Sequence, residues 1–309
     1  MDKNENNIRH VAILGAGGLG AVYAKILHEG GINTRIVADG ERYKRYVTQG
    51  FYINDVHHLL PVIRPTETGF AADLIIVATK YHHLQKALPD LANFVADHTI
   101  FVSLLNGLTS ETIIGDSYGH DKMLLAIAMN LDAVRLGNRI SHTRPPLLIF
   151  GEPQNHKLSP RVERVHALLD IVGIEYRTPV DMQRELWWKF MVNVGLNQSS
   201  AVTGATYGRY KTEADLRWLK ERLMLEVVAV AQAEGINLTK DDVSSFYQTI
   251  DKIAPDGKTS MLQDIEAGRK TEVEMFAPVV IELGEKHGIP TPVNQTILAI
   301  IRTIEAKVT

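Results

Sequence analysis

The sequence predicts an α/β protein in which an N-terminal doubly wound parallel sheet is followed by a smaller, mostly α-helical C-terminal domain. Three observations predict it. Apolar runs of strand length alternate with helix-length segments as far as Arg177, a glycine-rich turn joins the first strand to the first helix, and from Met182 on helical periodicity replaces strand-like runs. A chain of 309 residues also exceeds what one hydrophobic core usually serves, so two domains are expected, residues 1–180 and 181–309.

The first strand, His10 to Leu14, runs directly into Gly15, Ala16, Gly17, Gly18, Leu19 and Gly20, a G-x-G-x-x-G spacing. Leu19, Val22, Tyr23, Ile26 and Leu27 then recur at helical intervals until Gly30 and Gly31, which suit a left-handed cap. A second strand, Thr34 to Ala38, ends at Asp39, nineteen positions after Gly20, which completes a Rossmann-type βαβ unit of the expected size. Each glycine has a reason: Gly15 permits the tight turn, Gly17 lets the backbone approach a pyrophosphate, and Gly20 lets helix and strand pack closely. The helix N-terminus then faces the anion. Alone, the motif reads equally as a flexible turn; between a strand and a helix it favours a dinucleotide.

Further strands are expected at Leu74 to Ala78, Thr99 to Leu105 and Leu124 to Met129, with crossovers long enough for parallel pairing. Two strand ends carry polar residues where open α/β sheets bind ligands, Thr79 with Lys80 and Asn106 with Gly107. On residue physics alone, the lysine reads as solvated and Asn-Gly as a plain turn. Leu147 to Gly151 and Glu175 to Arg177 close the first domain. In the second, Leu216, Leu219, Leu223, Val227 and Val230 form an apolar stripe. Helix starts are expected at Thr212 with Asp215, Thr239 with Asp242 and Ser260 with Gln263, and helix ends at Gly235 and Gly288.

Composition narrows the function. A net charge of -3 offers no basic surface for nucleic acid or anionic membrane, so a small-molecule partner is expected. The absence of cysteine excludes disulfides and thiolate chemistry and fits a reducing, cytoplasmic setting. Apolar runs stay short, Leu124 to Met129 spanning about six residues against the ~20 a membrane span needs. The polar start, Met1 to Arg9, lacks secretory features and reads as a frayed tail. No metal site is expected, because the His57-His58 and His82-His83 pairs are adjacent rather than spaced on one helical face, and H-E-x-x-H is missing.

The segment Glu185 to Asn197 carries the chemistry. On a helix Lys189, Asn193 and Asn197 fall four apart and share one face with a drift of about 40° per step, while Leu186, Trp187, Phe190, Met191, Val192 and Val194 demand burial. Buried polar groups need partners. A 2-oxo acid would supply them, its carbonyl accepting from Lys189 and its other oxygens from the asparagine amides; a solvated stripe or a polar interface between domains is the alternative. Ser260 to Glu274 reads as one charged helix with a serine N-cap.

These pieces occur together, in this order, in the ketopantoate reductase (2-dehydropantoate 2-reductase) family, which the chain resembles from about Val11 to Ile304 through GAGGLG, ATK, LNG, ELWWKFMVNVGLN, SMLQDI, GRKTEVE and HGIPTPVNQT. The resemblance implies NAD(P)H-dependent reduction of ketopantoate to pantoate, a step toward pantothenate and coenzyme A. Hydride would go to the C2 ketone. It further implies Lys189 as proton donor, Asn193, Asn197, Ser260 and Asn106 as substrate residues, Lys80, Asn106 and Ala133 as cofactor contacts, and Glu272 near the nicotinamide and helping to position Lys189. NADP is the implied cofactor. Asp39, however, stands where family members commonly place an arginine for the 2′-phosphate, which admits NAD, whereas Arg42, Lys44 and Arg45 follow closely and offer a phosphate site. Tyr207 stands near a third substrate asparagine of some members, and Ala277 with Pro278 replaces a usual Asn-Gly, where the proline should kink a long helix. The competing expectations are a reductase of another 2-oxo acid and a nucleotide-sensing protein without turnover. A homodimer is the expected assembly, because helical second domains often offer pairing surfaces.

Overall fold

The computed structural model describes residues 7–250 and 254–307. The chain begins β1 (His10–Leu14), α1 (Gly18–Glu29), β2 (Asn33–Val37), α2 (Gly40–Gln49), β3 (Phe51–Ile53), β4 (Val56–His58), β5 (Val62–Ile63), β6 (Ala72–Val77), α3 (Leu84–Ala87), β7 (Val95–Ser103) and α4 (Ser110–Tyr118). It continues β8 (Met123–Met129), β9 (Val134–Leu136), β10 (Arg139–Ser141), β11 (Leu147–Gly151), α5 (Pro160–Val172) and β12 (Glu175–Arg177). Helices follow: α6 (Met182–Thr203), α7 (Arg209–Thr212), α8 (Ala214–Ala233), α9 (Lys240–Ile250), α10 (Ser260–Glu266), α11 (Ala277–His287) and α12 (Pro292–Glu305). Two compact units result. One runs to Leu105 and resumes over Thr109–Met182; the other comprises Asn106–Leu108 and the chain from Gln183 onward.

In the first unit an eight-stranded sheet has the order β12-β11-β8-β7-β6-β1-β2-β5. From β5 to β8 neighbouring strands are parallel, and β11 is antiparallel to β8. The central strands are continuous apolar runs because both faces are covered: Val11, Ile13, Leu74, Ile76, Val102 and Leu124 lie in one buried cluster with Val22, Tyr23 and Leu27 of α1, and the alternate residues Ala12, Leu14, Ile75 and Val77 are buried as well. Strand order reverses at the β1/β6 boundary, so the crevice of an open α/β sheet falls beyond Leu14 and Val77, where Gly15 and Thr79 stand.

A second sheet, β4-β3-β10-β9, was not expected. Its strands of three residues are too short to show alternation, and a positive-φ pair, Asn54 (47°) and Asp55 (64°), turns β3 into β4. The expected polar tail falls outside the described residues as far as residue 6. Its end is not frayed, since Ile8 is buried and the Arg9 amide donates to Asp73 Oδ2 at 2.8 Å.

In the second unit every residue from Phe190 to Ala201 on α6 is buried. On α8 the stripe packs inward at Leu216, Leu223, Val227 and Val230. Helix boundaries differ from expectation at three points. Thr259, not Ser260, caps α10, its Oγ1 accepting from the Leu262 amide at 3.2 Å. The charged segment does not stay helical to Glu274, because α10 ends at Glu266 and Gly268 turns to φ 62°. The Thr212–Asp215 box does not form, as α8 starts after Glu213 without a side-chain cap. Thr239 and Asp242 do cap α9, Asp242 Oδ2 accepting from the Thr239 amide at 2.8 Å, and Gly235 and Gly288 take left-handed conformations after α8 and α11. Pro278 sits in the first turn of α11, where its missing N–H has no partner to lose, so no kink arises.

Candidate active site

The glycine turn is shaped by contacts no side chain would allow. Gly15 has φ 98°, and a Cβ there would stand 2.7 Å from the Ala78 and Thr79 backbone; a Cβ at Gly20 would come 1.9 Å from the Gly15 carbonyl. Gly17 differs, with only the Ala78 carbonyl within reach, at 4.0 Å, which leaves the outer side of the turn open. Ala16 is buried beneath it and Leu19 packs against the core. Ala133 lies against Gly18, where a Cβ would meet the Ala133 Cβ at 3.0 Å. The first turn of α1 has neither a side-chain cap nor an acidic residue. Its amide end is therefore left positive by the protein, and these residues fit the diphosphate of a dinucleotide.

Nearby strand ends add polar groups. Thr79 Oγ1 is buried and has no hydrogen-bond partner among the described residues, and Lys80 beside it is exposed. Asp39 is exposed in extended conformation at the start of α2. The basic residues after it are engaged: Lys44 donates to Glu41 Oε1 at 2.7 Å, and the Arg45 guanidinium lies 5.6 Å from the Tyr46 ring centre. Burial raises the Asp90 carboxyl, Arg42 opposing that rise and Asp39 adding to it, so Arg42 and Asp39 share the field of one carboxyl.

In the second unit α6 presents Lys189, Asn193 and Asn197 four apart, with both asparagines buried and the lysine partly so. Burial lowers the Lys189 pKa by stripping water from the ammonium, and no carboxylate pairs with it among the described residues. Asn193 Nδ2 donates to Asn106 Oδ1 at 3.2 Å, which fixes how both amides are presented. Gly107, at φ 92°, brings this loop within reach of the Met275 carbonyl, 3.2 Å from where a Cβ would stand. Met275 closes the short 3-10 turn that the partly buried Glu272 begins. The Asn-Gly pair is thus more than a plain turn. Ser260, first residue of α10, is exposed, and its helix is tied to α6 by a 2.5 Å bond between Ser200 Oγ and Thr259 Oγ1. Among the described residues no group of three His, Asp or Glu is placed to hold a metal ion.

Residues 11–155 match the family described as ketopantoate reductase PanE/ApbA, and residues 181–305 match the C-terminal region of the same family. The chain belongs to the ketopantoate reductase family. Like other members it is an oxidoreductase acting on a 2-oxo acid. Curated 2-dehydropantoate 2-reductases resemble it along their length: that of Mesorhizobium japonicum is 27% identical over 95% of this chain and 97% of its own, and that of Vibrio cholerae is 26% identical over 96% and 98%. Among solved structures, D-mandelate dehydrogenase with NADH and anilino(oxo)acetate has the same fold, with a TM-score of 0.88 at 21% identity, covering 97% of this chain and 99% of that one. The 2-dehydropantoate 2-reductase of Geobacter metallireducens gives 0.83 at 24% identity over 95% and 99%.

Three polar features of this ketopantoate reductase family member escaped sequence reasoning. Arg135, on β9, donates from Nη1 to the Ala16 carbonyl within the glycine turn. Glu111, in the first turn of α4, is buried, accepts from Ser110 Oγ at 2.9 Å and is pushed up to about 7 by burial. Glu226 holds the start of α12, accepting from the Val293 and Asn294 amides at 2.9 Å each. Arg135 and Glu226 bond to partners far along the chain, and Glu111, bonded to its neighbour Ser110, is set apart by burial alone, so spacing carried no signal. Only for Arg135 did a weak signal exist, as the one polar side chain between Val134 and Leu136 on a strand.

Proposed function

We propose that the protein reduces ketopantoate to pantoate, with the chain to about residue 180 binding the dinucleotide and residues 181–309 supplying substrate and proton-transfer groups. The observation that carries this reading is Lys189: a desolvated amine without a carboxylate partner among the described residues, on one helical face with Asn193 and Asn197. The nicotinamide, when bound, supplies a hydride to the C2 ketone. Lys189 donates the proton that quenches charge growing on the ketone oxygen, and its lowered pKa makes that donation easier. Asn193 and Asn197 donate to the acid's other oxygens, Asn106 holds Asn193 in register and reaches the cofactor, and Ser260 adds a hydroxyl. Glu272 positions Lys189. Gly15 to Gly20, Ala133 and Lys80 bind the dinucleotide.

For the reductant, exposed Asp39 with Lys44 paired to Glu41 favours the free ribose hydroxyls of NADH over the phosphate of NADPH. The D-mandelate dehydrogenase of the same fold was solved with NADH. A ketopantoate reductase of Staphylococcus aureus is described as dimeric, which supports a homodimer here. A second reading, reduction of a different 2-oxo acid, draws on Tyr207, which is partly buried and packs on Gly257 beside the helices that carry the substrate groups.

The test is loss of reduced-cofactor absorbance with ketopantoate, with NADH and NADPH in parallel and a panel of 2-oxo acids beside it. Ketopantoate-dependent oxidation, with NADH bound at least about tenfold more tightly than NADPH, is expected. Tighter NADPH binding would reverse the cofactor assignment. Faster turnover of another acid would replace ketopantoate.

A further inference from the structure

β9 is three residues long and alternates strictly. Val134 and Leu136 face solvent, while Arg135 turns to the opposite side and is partly buried. Its guanidinium is gripped from several directions. Nε donates to the Gly137 carbonyl at 2.8 Å, Nη1 donates to the Ala16 carbonyl, and the rings of Tyr46 and Phe51 each lie 5.8 Å from the guanidinium carbon. A guanidinium carries five N–H groups, so three remain after these two bonds. No carboxylate pairs with Arg135 among the described residues.

The bonded carbonyl matters. Ala16 C=O and Gly17 N–H belong to one peptide group, whose planarity points the two in opposite directions. Holding the carbonyl on Arg135 fixes that amide as an outward donor, and polarisation along the peptide strengthens it. Ala133, two residues earlier, packs on Gly18. The segment 133–135 therefore runs along the glycine turn, bringing an ordered positive charge to a helix start that has no acidic residue in its first turn.

We infer that Arg135 is a cofactor-binding residue that supplies positive charge opposite the dinucleotide's diphosphate and locks the Gly17 amide toward it; this rests on the reading of Gly15 to Gly20 as the cofactor site. A diphosphate carries two negative charges, and a guanidinium already ordered behind that peptide acts on them through its field and through the amide it holds, with little further loss of side-chain freedom.

The experiment measures dissociation constants for NADH, by fluorescence, and for ADP-ribose, by calorimetry, at low and moderate salt. Wild type, Arg135→Gln and Arg135→Lys are compared. ADP-ribose keeps the diphosphate but cannot turn over, which separates binding from chemistry. Arg135→Gln is expected to weaken both ligands about tenfold at low salt, with the gap narrowing as salt rises, while Arg135→Lys keeps most of the affinity. Wild-type affinity in the glutamine variant, or equal losses in both variants, overturns the role of the charge. Should Arg135→Gln fail to fold, as judged by thermal unfolding, the salt dependence of wild type and Arg135→Lys decides: salt-insensitive binding overturns the inference. If wild type binds neither ligand, the cofactor reading itself fails; if it binds both and the variants match it, only the inference about Arg135 falls.

Discussion

The glycine turn at the start of α1 and the polar face of α6 are built from opposite materials. At Gly15 to Gly20 the useful groups are backbone amides, exposed because side chains are missing, and a Cβ at Gly20 would come 1.9 Å from a carbonyl. On α6 they are side chains, two asparagines and a lysine, held within a helix buried from Phe190 to Ala201. A backbone site is specified locally and tolerates almost nothing at its glycines. A side-chain site depends on what surrounds it, because burial lowers the Lys189 pKa and Asn106 orients Asn193.

The comparison breaks most readily at Lys189. Lys189→Ala is expected to lower turnover about 10²- to 10⁴-fold while leaving the NADH dissociation constant unchanged, read by steady-state kinetics beside equilibrium binding. Near-normal turnover would remove the lysine from the chemistry.

A second helix start sharpens the contrast. Whereas α1 begins without an acid, α4 begins with buried Glu111, whose pKa is raised from 4.5 to about 7. The folded state thus holds this proton more tightly than the unfolded state. Its contribution is full below about pH 4.5 and is lost as pH rises toward about 7. Wild type is expected to lose up to about 3 kcal/mol relative to Glu111→Gln between pH 5 and 8. Urea unfolding at the two pH values checks this; parallel changes in both proteins would refute it.

The smallest expected effect belongs to the turn. Gly20→Ala should destabilise the protein by roughly 1–3 kcal/mol, since the methyl can only be accommodated by moving backbone, and should weaken NADH binding. Unchanged melting and binding would show that the turn relaxes freely.

The same division explains what was legible in the sequence. Strands buried in the sheet announce themselves as apolar runs, so β1 and β11 fall at their expected limits; β12, an exposed edge strand reading Glu-Tyr-Arg, also falls at its expected limits but without such a run. G-x-G-x-x-G is a local requirement, visible as a motif. The second sheet was invisible because three-residue strands hold too few positions to show a period. The stop of α10 depended on Gly268 adopting φ 62°, while the cap at Thr259 depended on competition between two adjacent hydroxyl residues. The four-residue spacing of Lys189, Asn193 and Asn197 was readable; the bond from Asn193 to Asn106 was not, because those residues lie 87 positions apart.

Burial of Lys189 has one more consequence. An amine whose pKa is lowered spends more of its time with a free lone pair, and a free lone pair attacks electrophiles. Mild acylating reagents applied near neutral pH should therefore find this side chain ahead of fully solvated lysines wherever they can reach it. The residue proposed to give up a proton to substrate is, by the same physics, a natural handle for covalent labelling.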